Sequence, residues 1–294
     1  MAYFKLLRPK DWAKNLFLFI PLFFAGEFTN LEKIASILLG FAAFSAIASS
    51  IYILNDYRDI EDDRKHPVKC KRPLASGAVA KPAALVIAAV LIIAGFLIAW
   101  FIRDKFVFVL AIYFLINLGY SFGLKSVPIL DIILLAIGFV LRVKAGSVIA
   151  EIALSEWIII MVFLLALFMA IGKRRDDVML KLSSGVDMRK SIKGYNLELL
   201  NTLLALICAV IIVAYFMYTM APETNVRLGT HRLYYTCLFV MAGIMRYLQI
   251  IFVMADSGSP TKILYKDRFI QIVLVLWVAS FVVIIYLKDE TFFK

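Results

Sequence analysis

The sequence predicts an all-α, polytopic membrane protein, with nine transmembrane helices in one bundle and the N-terminus in the cytoplasm. Three observations predict it. The 294 residues are 63% hydrophobic, with a mean hydropathy of +0.90. Soluble domains run at roughly 45–50% apolar, and a folded chain of this size still leaves about a quarter of its unfolded surface in water. The apolar residues also gather into nine stretches, each near the ~20 residues a helix needs to cross a hydrocarbon core. Finally, of the 32 Lys and Arg, 22 fall on one side of that nine-span arrangement and 7 on the other. Such asymmetry places the basic loops in the cytoplasm. A soluble enzyme, a disordered chain and a disulfide-stapled domain are excluded. The net charge of +11 fits basic loops against an anionic leaflet better than it fits nucleic acid.

The first span lies near 12–28, behind Lys5, Arg8, Lys10 and Lys14, and Pro21 should kink it. It lacks a small-x-small cleavage site, so no cleavable signal peptide is expected. The second, 32–55, stops at Asn55-Asp56. The third and fourth, 83–102 and 106–122, are parted by Arg103 and Lys105. The fifth, 129–149, carries Arg142 and Lys144. The sixth, 155–172, ends at Lys173. Spans near 198–220, 234–255 and 269–287 complete the chain. Two cytoplasmic connections, 56–81 and 173–197, are about 25 residues long and the others are short. Long polar loops on one face of a bundle commonly carry function. No linker divides the chain, so residues 1–294 read as a single transmembrane domain in the inner membrane. Cys70, Cys208 and Cys237 have no metal-ligand spacing.

The segment Asn55-Asp56-Tyr57-Arg58-Asp59-Ile60-Glu61-Asp62-Asp63 closes the second span. On a continuous helix Asp56, Asp59 and Asp63 fall within about 60° of one another, while Glu61 and Asp62 point elsewhere. Like charges at these spacings repel, so a cation must compensate. Nearby Arg58, Arg64 and Lys65 could neutralise a solvated face. Three aligned carboxylates at a membrane mouth suit a hard divalent cation better: Mg²⁺ takes oxygen ligands and is commonly shared with substrate phosphates. Five cations follow, Arg64, Lys65, Lys69, Lys71 and Arg72. Acids that hold a metal, then Lys and Arg, read as a cradle for diphosphate; contact with lipid headgroups is the competing reading.

The run from Asn55 to Asp63, followed by Arg72-Pro73-Leu74, resembles the first aspartate-rich motif of the UbiA superfamily of intramembrane prenyltransferases. The resemblance covers essentially the whole chain. It implies a UbiA-like bundle with both active loops cytosolic, and Mg²⁺ on Asp56, Asp59 and Asp63 with Asn55 in support. Typical members carry a second D-x-x-x-D after the sixth helix. This chain instead has Gly172-Lys173-Arg174-Arg175-Asp176-Asp177. A cation in place of a metal-binding acid shifts the local charge by two units and favours bare phosphate, which arginine pairs bidentately. A positive-inside anchor at the end of the sixth span is the competing reading.

With Gly172-Lys173-Arg174-Arg175 the chain resembles the decaprenyl-phosphate phosphoribosyltransferase branch. Tyr120-Ser121 with Leu124-Lys125, Gly138 to Arg142, Gly194-Tyr195-Asn196, Arg246-Tyr247-Leu248 and Lys266-Asp267-Arg268 are also similar to it. The resemblance implies Mg²⁺-dependent transfer of a 5-phosphoribosyl group from phosphoribosyl diphosphate to a polyprenyl phosphate. Lys173 joins the three aspartates as a catalytic candidate. Asn55, Lys69, Lys71, Arg72, Tyr120, Lys125, Arg142, Arg174, Arg175, Asp177 and Arg246 are candidates for substrate binding. A prenyltransferase with an aromatic acceptor is the alternative enzyme, kept open by Asp176 and Asp177. A transporter would predict broken spans around a midplane site. A homo-oligomer stays open.

Arg142 lies deep in its span, where a charge costs at least about 2.5–3.5 kcal/mol. It shares a stripe with Asp131, Gly138 and Gly146, and is either a structural ion pair or a contact to an anionic substrate. Lys144 points away and can snorkel. Arg246 is similarly deep in the eighth span, with no partner legible in the sequence.

Overall fold

A computed structural model of the chain describes residues 2–65, 69–184, 194–254 and 260–286. Among them every regular element is helical. The order is α1 (Ala2–Leu6), a 3₁₀ helix Pro9–Phe19, α2 (Ile20–Phe24), α3 (Leu31–Arg58), α4 (Ile60–Lys65), α5 (Lys81–Ile102), α6 (Asp104–Ser121), α7 (Leu130–Ala150), α8 (Glu156–Ser184), α9 (Leu197–Met220), α10 (Pro222–Leu228), α11 (Cys237–Phe252), α12 (Pro260–Lys266) and α13 (Arg268–Tyr286). Among the described residues seven helices are long and apolar enough to cross a membrane, from Leu31–Arg58 to Leu233–Phe252, and Arg268–Ile284 is a shorter apolar one.

The chain packs as two compact units. Residues 1–125 and 137–154 form the first; residues 126–136 and 155–294 form the second. α7 runs through both without a break. In the first unit α3 packs along α5, whose buried positions are small: Ala84, Ala88, Gly95 and Ala99. Its other face exposes Val86, Val90, Ile93, Leu97 and Trp100. Small residues inward and large apolar ones outward is the membrane pattern, because lipid solvates the large side chains while small ones let backbones approach. The second unit is built on α9, where Leu200, Leu204, Ile207 and Ile211 make one buried stripe against α8 and α11.

The first expected span is not a continuous α-helix. Eleven residues of 3₁₀ helix precede one turn of α, with Pro21 inside that turn. At about 2 Å and 1.5 Å of rise per residue, the two pieces together still reach roughly 30 Å. Such a long 3₁₀ run is unusual, and its contacts explain it. Three residues per turn put Trp12, Asn15 and Leu18 in one row. Trp12 Nε1 donates to Ser49 Oγ at 3.0 Å, and Asn15 Nδ2 to Ser45 Oγ at 2.9 Å. A row of period three thus runs antiparallel to a row of period four on α3. The third member, Leu18, lies with its backbone against Gly146 of α7, where a Cβ would collide with the Leu18 carbonyl. Gly146→Leu should therefore cost about 1–3 kcal/mol of stability through overpacking, read as a lower melting temperature with earlier proteolysis of the first 25 residues.

Two loop boundaries move. Asp56 to Arg58 still belong to α3, and α8 continues through Ser184, so residues 173–184 are helix rather than loop. The Arg174–Asp177 ion pair at i,i+3 supports that extension. Residues 185–193 of the expected second loop, and His66 with its two successors in the first, lie outside the described residues.

Candidate active site

The acids of the first unit sit where α3 gives way to α4. Asp59 caps α3 with φ −90° and ψ 9°, a one-residue departure from helical geometry. The Asp59 N–H still bonds to Asn55 O at 3.0 Å, and the Asp63 N–H to Asp59 O at 2.8 Å, so the chain turns without unravelling. The kink breaks the expected single face. Asp56 and Asp63 are buried and share one cation; Asp59 is half-buried and bonds a different one.

A single guanidinium nitrogen joins the buried pair. Arg72 NH1 lies 3.0 Å from Asp56 Oδ1 and 2.6 Å from Asp63 Oδ2. Arg8 NH2 reaches the same Asp56 oxygen at 2.5 Å, with its guanidinium over the Tyr52 ring. Asp59 has its own cation: Lys125 Nζ lies 2.7 Å from Asp59 Oδ2 and 3.1 Å from Asn55 Oδ1. Asn55 Nδ2 donates to Asp59 Oδ2 at 3.2 Å. Six of the expected residues, Asn55, Asp56, Asp59, Asp63, Arg72 and Lys125, therefore carry these contacts, Lys125 from a short 3₁₀ turn, Leu124–Ser126. Lys69 is half-buried and Lys71 exposed on the turn Lys69–Lys71, and Tyr120 is half-buried in the last turn of α6.

Arg8 was not among the expected residues. It lies 48 positions from Asp56, so no spacing rule joins them. Its backbone is left-handed, φ 52° and ψ 59°, an uncommon state for a residue with a Cβ. That turn, just before Pro9, aims the side chain back at α3.

The donor set suits a hard cation. The contacts from the chain's own cations and amide all fall on one oxygen of each carboxylate, Oδ1 of Asp56 and Oδ2 of Asp59 and Asp63. Among the described residues the other oxygen of each has no hydrogen bond. Asp56 and Asp63 already hold a positive group between their oxygens, and such oxygen donors would suit a divalent ion that shares substrate phosphates. Among the described residues no three metal-ligating side chains gather as a ready cage. Mg²⁺ thus fits the chemistry of the donor set.

The cations of the second unit are arranged differently. Lys173, Arg174 and Arg175 are consecutive on α8, so they fan out by about 100° each and do not converge. Arg174 is wholly buried, as is its partner Asp131: Arg174 Nε lies 2.6 Å from Asp131 Oδ2, and NH1 3.1 Å from Asp177 Oδ2. Tyr195 Oη donates to Asp131 Oδ1 at 2.6 Å and accepts the Ile129 N–H at 2.7 Å. Burial pushes the Tyr195 hydroxyl pKa up, as does that bond to Asp131. Ile129 is held at φ 69°, rare for a β-branched residue. Arg175 Nε donates to Asn201 Oδ1 at 2.8 Å. Lys173 is exposed and Asp177 half-buried.

Two membrane arginines find partners that sequence spacing did not show. Arg142 makes no ion pair among the described residues. It donates to Asn15 Oδ1, Gly138 O and Tyr113 Oη at 2.9, 2.8 and 2.8 Å, with the rings of Phe44, Tyr113 and Phe139 around its guanidinium. Dipoles and π faces replace the carboxylate. Arg246 pairs with Asp267 at 2.8 Å, beside α13. Its hydrogen bond holds the Asp267 carboxyl below the ordinary range, and Asp267 Oδ1 also accepts the Ile270 N–H at 2.9 Å, a helix cap.

The chain is 33% identical over 291 residues to a decaprenyl-phosphate phosphoribosyltransferase of Mycolicibacterium smegmatis, covering 96% of this chain and 92% of that one. It is 32% identical over 288 residues to the protein of the same name from Corynebacterium glutamicum, covering 96% and 86%. The fold is similar to that of a UbiA homologue from Archaeoglobus fulgidus solved with DMAPP and Mg²⁺, at a TM-score of 0.70 and 23% identity over 97% of this chain and 99% of that one. The model of the UbiA prenyltransferase family matches residues 16–182, a stretch that holds the acids of α3 and α4, Arg72, Lys125 and the cations of α8. Belonging to the UbiA prenyltransferase family, this chain is an integral membrane transferase.

Proposed function

We propose that the protein transfers a 5-phosphoribosyl group from phosphoribosyl diphosphate to a polyprenyl phosphate, yielding polyprenyl-phosphoryl-5-phosphoribose and diphosphate, with Mg²⁺. The observation that carries this reading is the group of three cations, Arg8, Arg72 and Lys125, set against three aspartates. The names of the relatives support the choice of donor and acceptor.

Asp56, Asp59 and Asp63 would hold the metal, and Mg²⁺ when bound would neutralise charge on the departing diphosphate. The chain's own cations do the rest. Arg72 bridges two carboxylates through one nitrogen and can exchange one of them for a diphosphate oxygen, leaving its remaining N–H groups for the phosphate. Arg8, on Asp56, and Lys125, on Asp59, are each within one hydrogen bond of an acid and can take the remaining oxygens. Charge builds on diphosphate as the C1–O bond breaks, so these pre-placed cations lower the barrier. The bond electrons leave with diphosphate, and a lipid phosphate oxygen forms the new bond to C1. That oxygen is already anionic, so no general base is required. Asn55 orients Asp59 and Lys125. Lys69, Lys71, Tyr120, Lys173, Arg175, Asp177, Arg142 and Arg246 remain candidates for contacts to the substrates, while Arg174 is enclosed against Asp131.

In this reading residues 1–294 act as one catalytic domain in the plasma membrane. It crosses nine times, with the 3₁₀–α2 segment first and α13 last, and the acids face the cytoplasm. Purified protein offered Mg²⁺ with either phosphoribosyl diphosphate and a polyprenyl phosphate, or farnesyl diphosphate and an aromatic acceptor, tests it. Mass spectrometry should find phosphoribosylated lipid only with the first pair. A prenylated acceptor from the second would move the assignment to the aromatic prenyltransferases.

A further inference from the structure

In the first unit, the end remote from Asp56 carries a cleft that the proposed reaction does not use. α5 and α6 meet there at Arg103, and α7 ends there. The cavity is about 650 Å³, open to the surface, and its lining includes Arg103, Asp104, Lys105, Phe108, Lys144 and Glu151. Such a volume holds a small polar group with room beside it.

The charges do not cancel. Arg103 NH2 pairs with Glu151. Asp104 opens α6, where the helix N-terminus favours an acid. Lys105 and Lys144 are exposed and make no hydrogen bond or ion pair among the described residues. Lys144 stands two turns inside an otherwise apolar helix end, among Val143, Ala145 and Val148. Trp100 and Phe101, at the end of α5, are 63% and 80% exposed, and exposed aromatics of this kind mark the headgroup level of a bilayer. Phe108, 68% exposed, adds an apolar wall.

The backbone at the rim is strained. Glu151 has φ +57°, the left-handed position that closes a helix and that glycine usually fills. The Ile152 N–H donates to Ser147 O at 3.0 Å, and Ser147 Oγ to Ile152 O at 2.7 Å, which completes the turn. The carboxylate kept at that unfavourable position is the one that fixes Arg103 at the mouth of the cleft.

We propose that this cleft binds the phosphate of an anionic phospholipid, with Lys105 and Lys144 on the phosphate oxygens and Phe108 along the first carbons of an acyl chain. The apolar wall at headgroup depth is what selects a lipid over a free anion. The full chain, purified in mild detergent, is incubated with equal phosphatidylglycerol and phosphatidylcholine, washed, and its retained lipid measured by mass spectrometry. Phosphatidylglycerol should be retained over phosphatidylcholine. Lys105→Gln with Lys144→Gln should lower that retention roughly 10- to 30-fold, at the usual worth of two surface lysines. Glu151→Gln, which releases Arg103, should raise it several-fold. Wild-type retention of phosphatidylglycerol in the double lysine variant overturns the proposal, as does equal retention of the two lipids. Complete displacement by millimolar inorganic phosphate would assign the cleft to a free anion and overturn it equally.

Discussion

Asp56→Asn should lower turnover by at least roughly 100-fold at saturating Mg²⁺, the scale lost when a group that fixes a metal or a developing charge is removed. Asp56 is where two of the site's three cations meet, since Arg8 and Arg72 share its Oδ1. The amide keeps the shape but not the charge. Asp63→Asn should behave similarly, because it holds the other side of Arg72. The loss of fold stability should be smaller, about 1–3 kcal/mol. Arg8 and Arg72 keep 22% and 25% of their side chains in solvent, and Arg72 retains Asp63. Transfer of label from phosphoribosyl diphosphate to polyprenyl phosphate, beside a melting curve of the same preparation, separates the two effects. Wild-type turnover in Asp56→Asn would sink the assignment of these acids.

The largest stability effect is expected at Arg174. Arg174→Met leaves Asp131 as a buried carboxylate with no cation, and breaking a buried pair from one side costs about 3–5 kcal/mol. Both side chains are fully enclosed, so water offers no relief. Asp131→Leu combined with Arg174→Met removes both charges and should recover at least about 2 kcal/mol of the summed single losses. Tyr195→Phe should cost about 1–3 kcal/mol, because it strips a donor from Asp131 and an acceptor from the Ile129 N–H. Thermal unfolding of the four variants in one detergent gives the cycle. Additive losses would show that the pair is not coupled. Arg174 would then be open to contact with substrate, as the charge pattern alone suggested.

Much of the site was legible from local spacing. Asn55, Asp56, Asp59 and Asp63 declare themselves within nine residues, and Arg72 follows closely enough to be suspected. At Asp59 the helix departs from regular geometry, and the acids divide by partner into an arginine-bridged pair and a lysine-bound single. Arg8 and Asn15 were not legible. Each meets its partner across a long stretch of chain, and a basic or amide side chain near a terminus looks the same whether it anchors in lipid headgroups or closes a site. Tyr195 was legible only as part of a family likeness, its bond to Asp131 hidden by a separation of 64 positions.

The chain by itself determined that this protein lives in a bilayer, because apolar content and basic asymmetry are sums over residues and need no geometry. It determined the acids and the cations that follow them, because helical periodicity carries over a few residues. Only the tertiary structure decided which cation neutralises which acid. Run by run, lysines and arginines look equivalent, and their partners are set by which helices pack. That packing turned a row of three carboxylates into an arginine-bridged pair and a lysine-bound single. It also placed Arg174 inside the protein, where adjacency to Lys173 and Arg175 had suggested one basic surface.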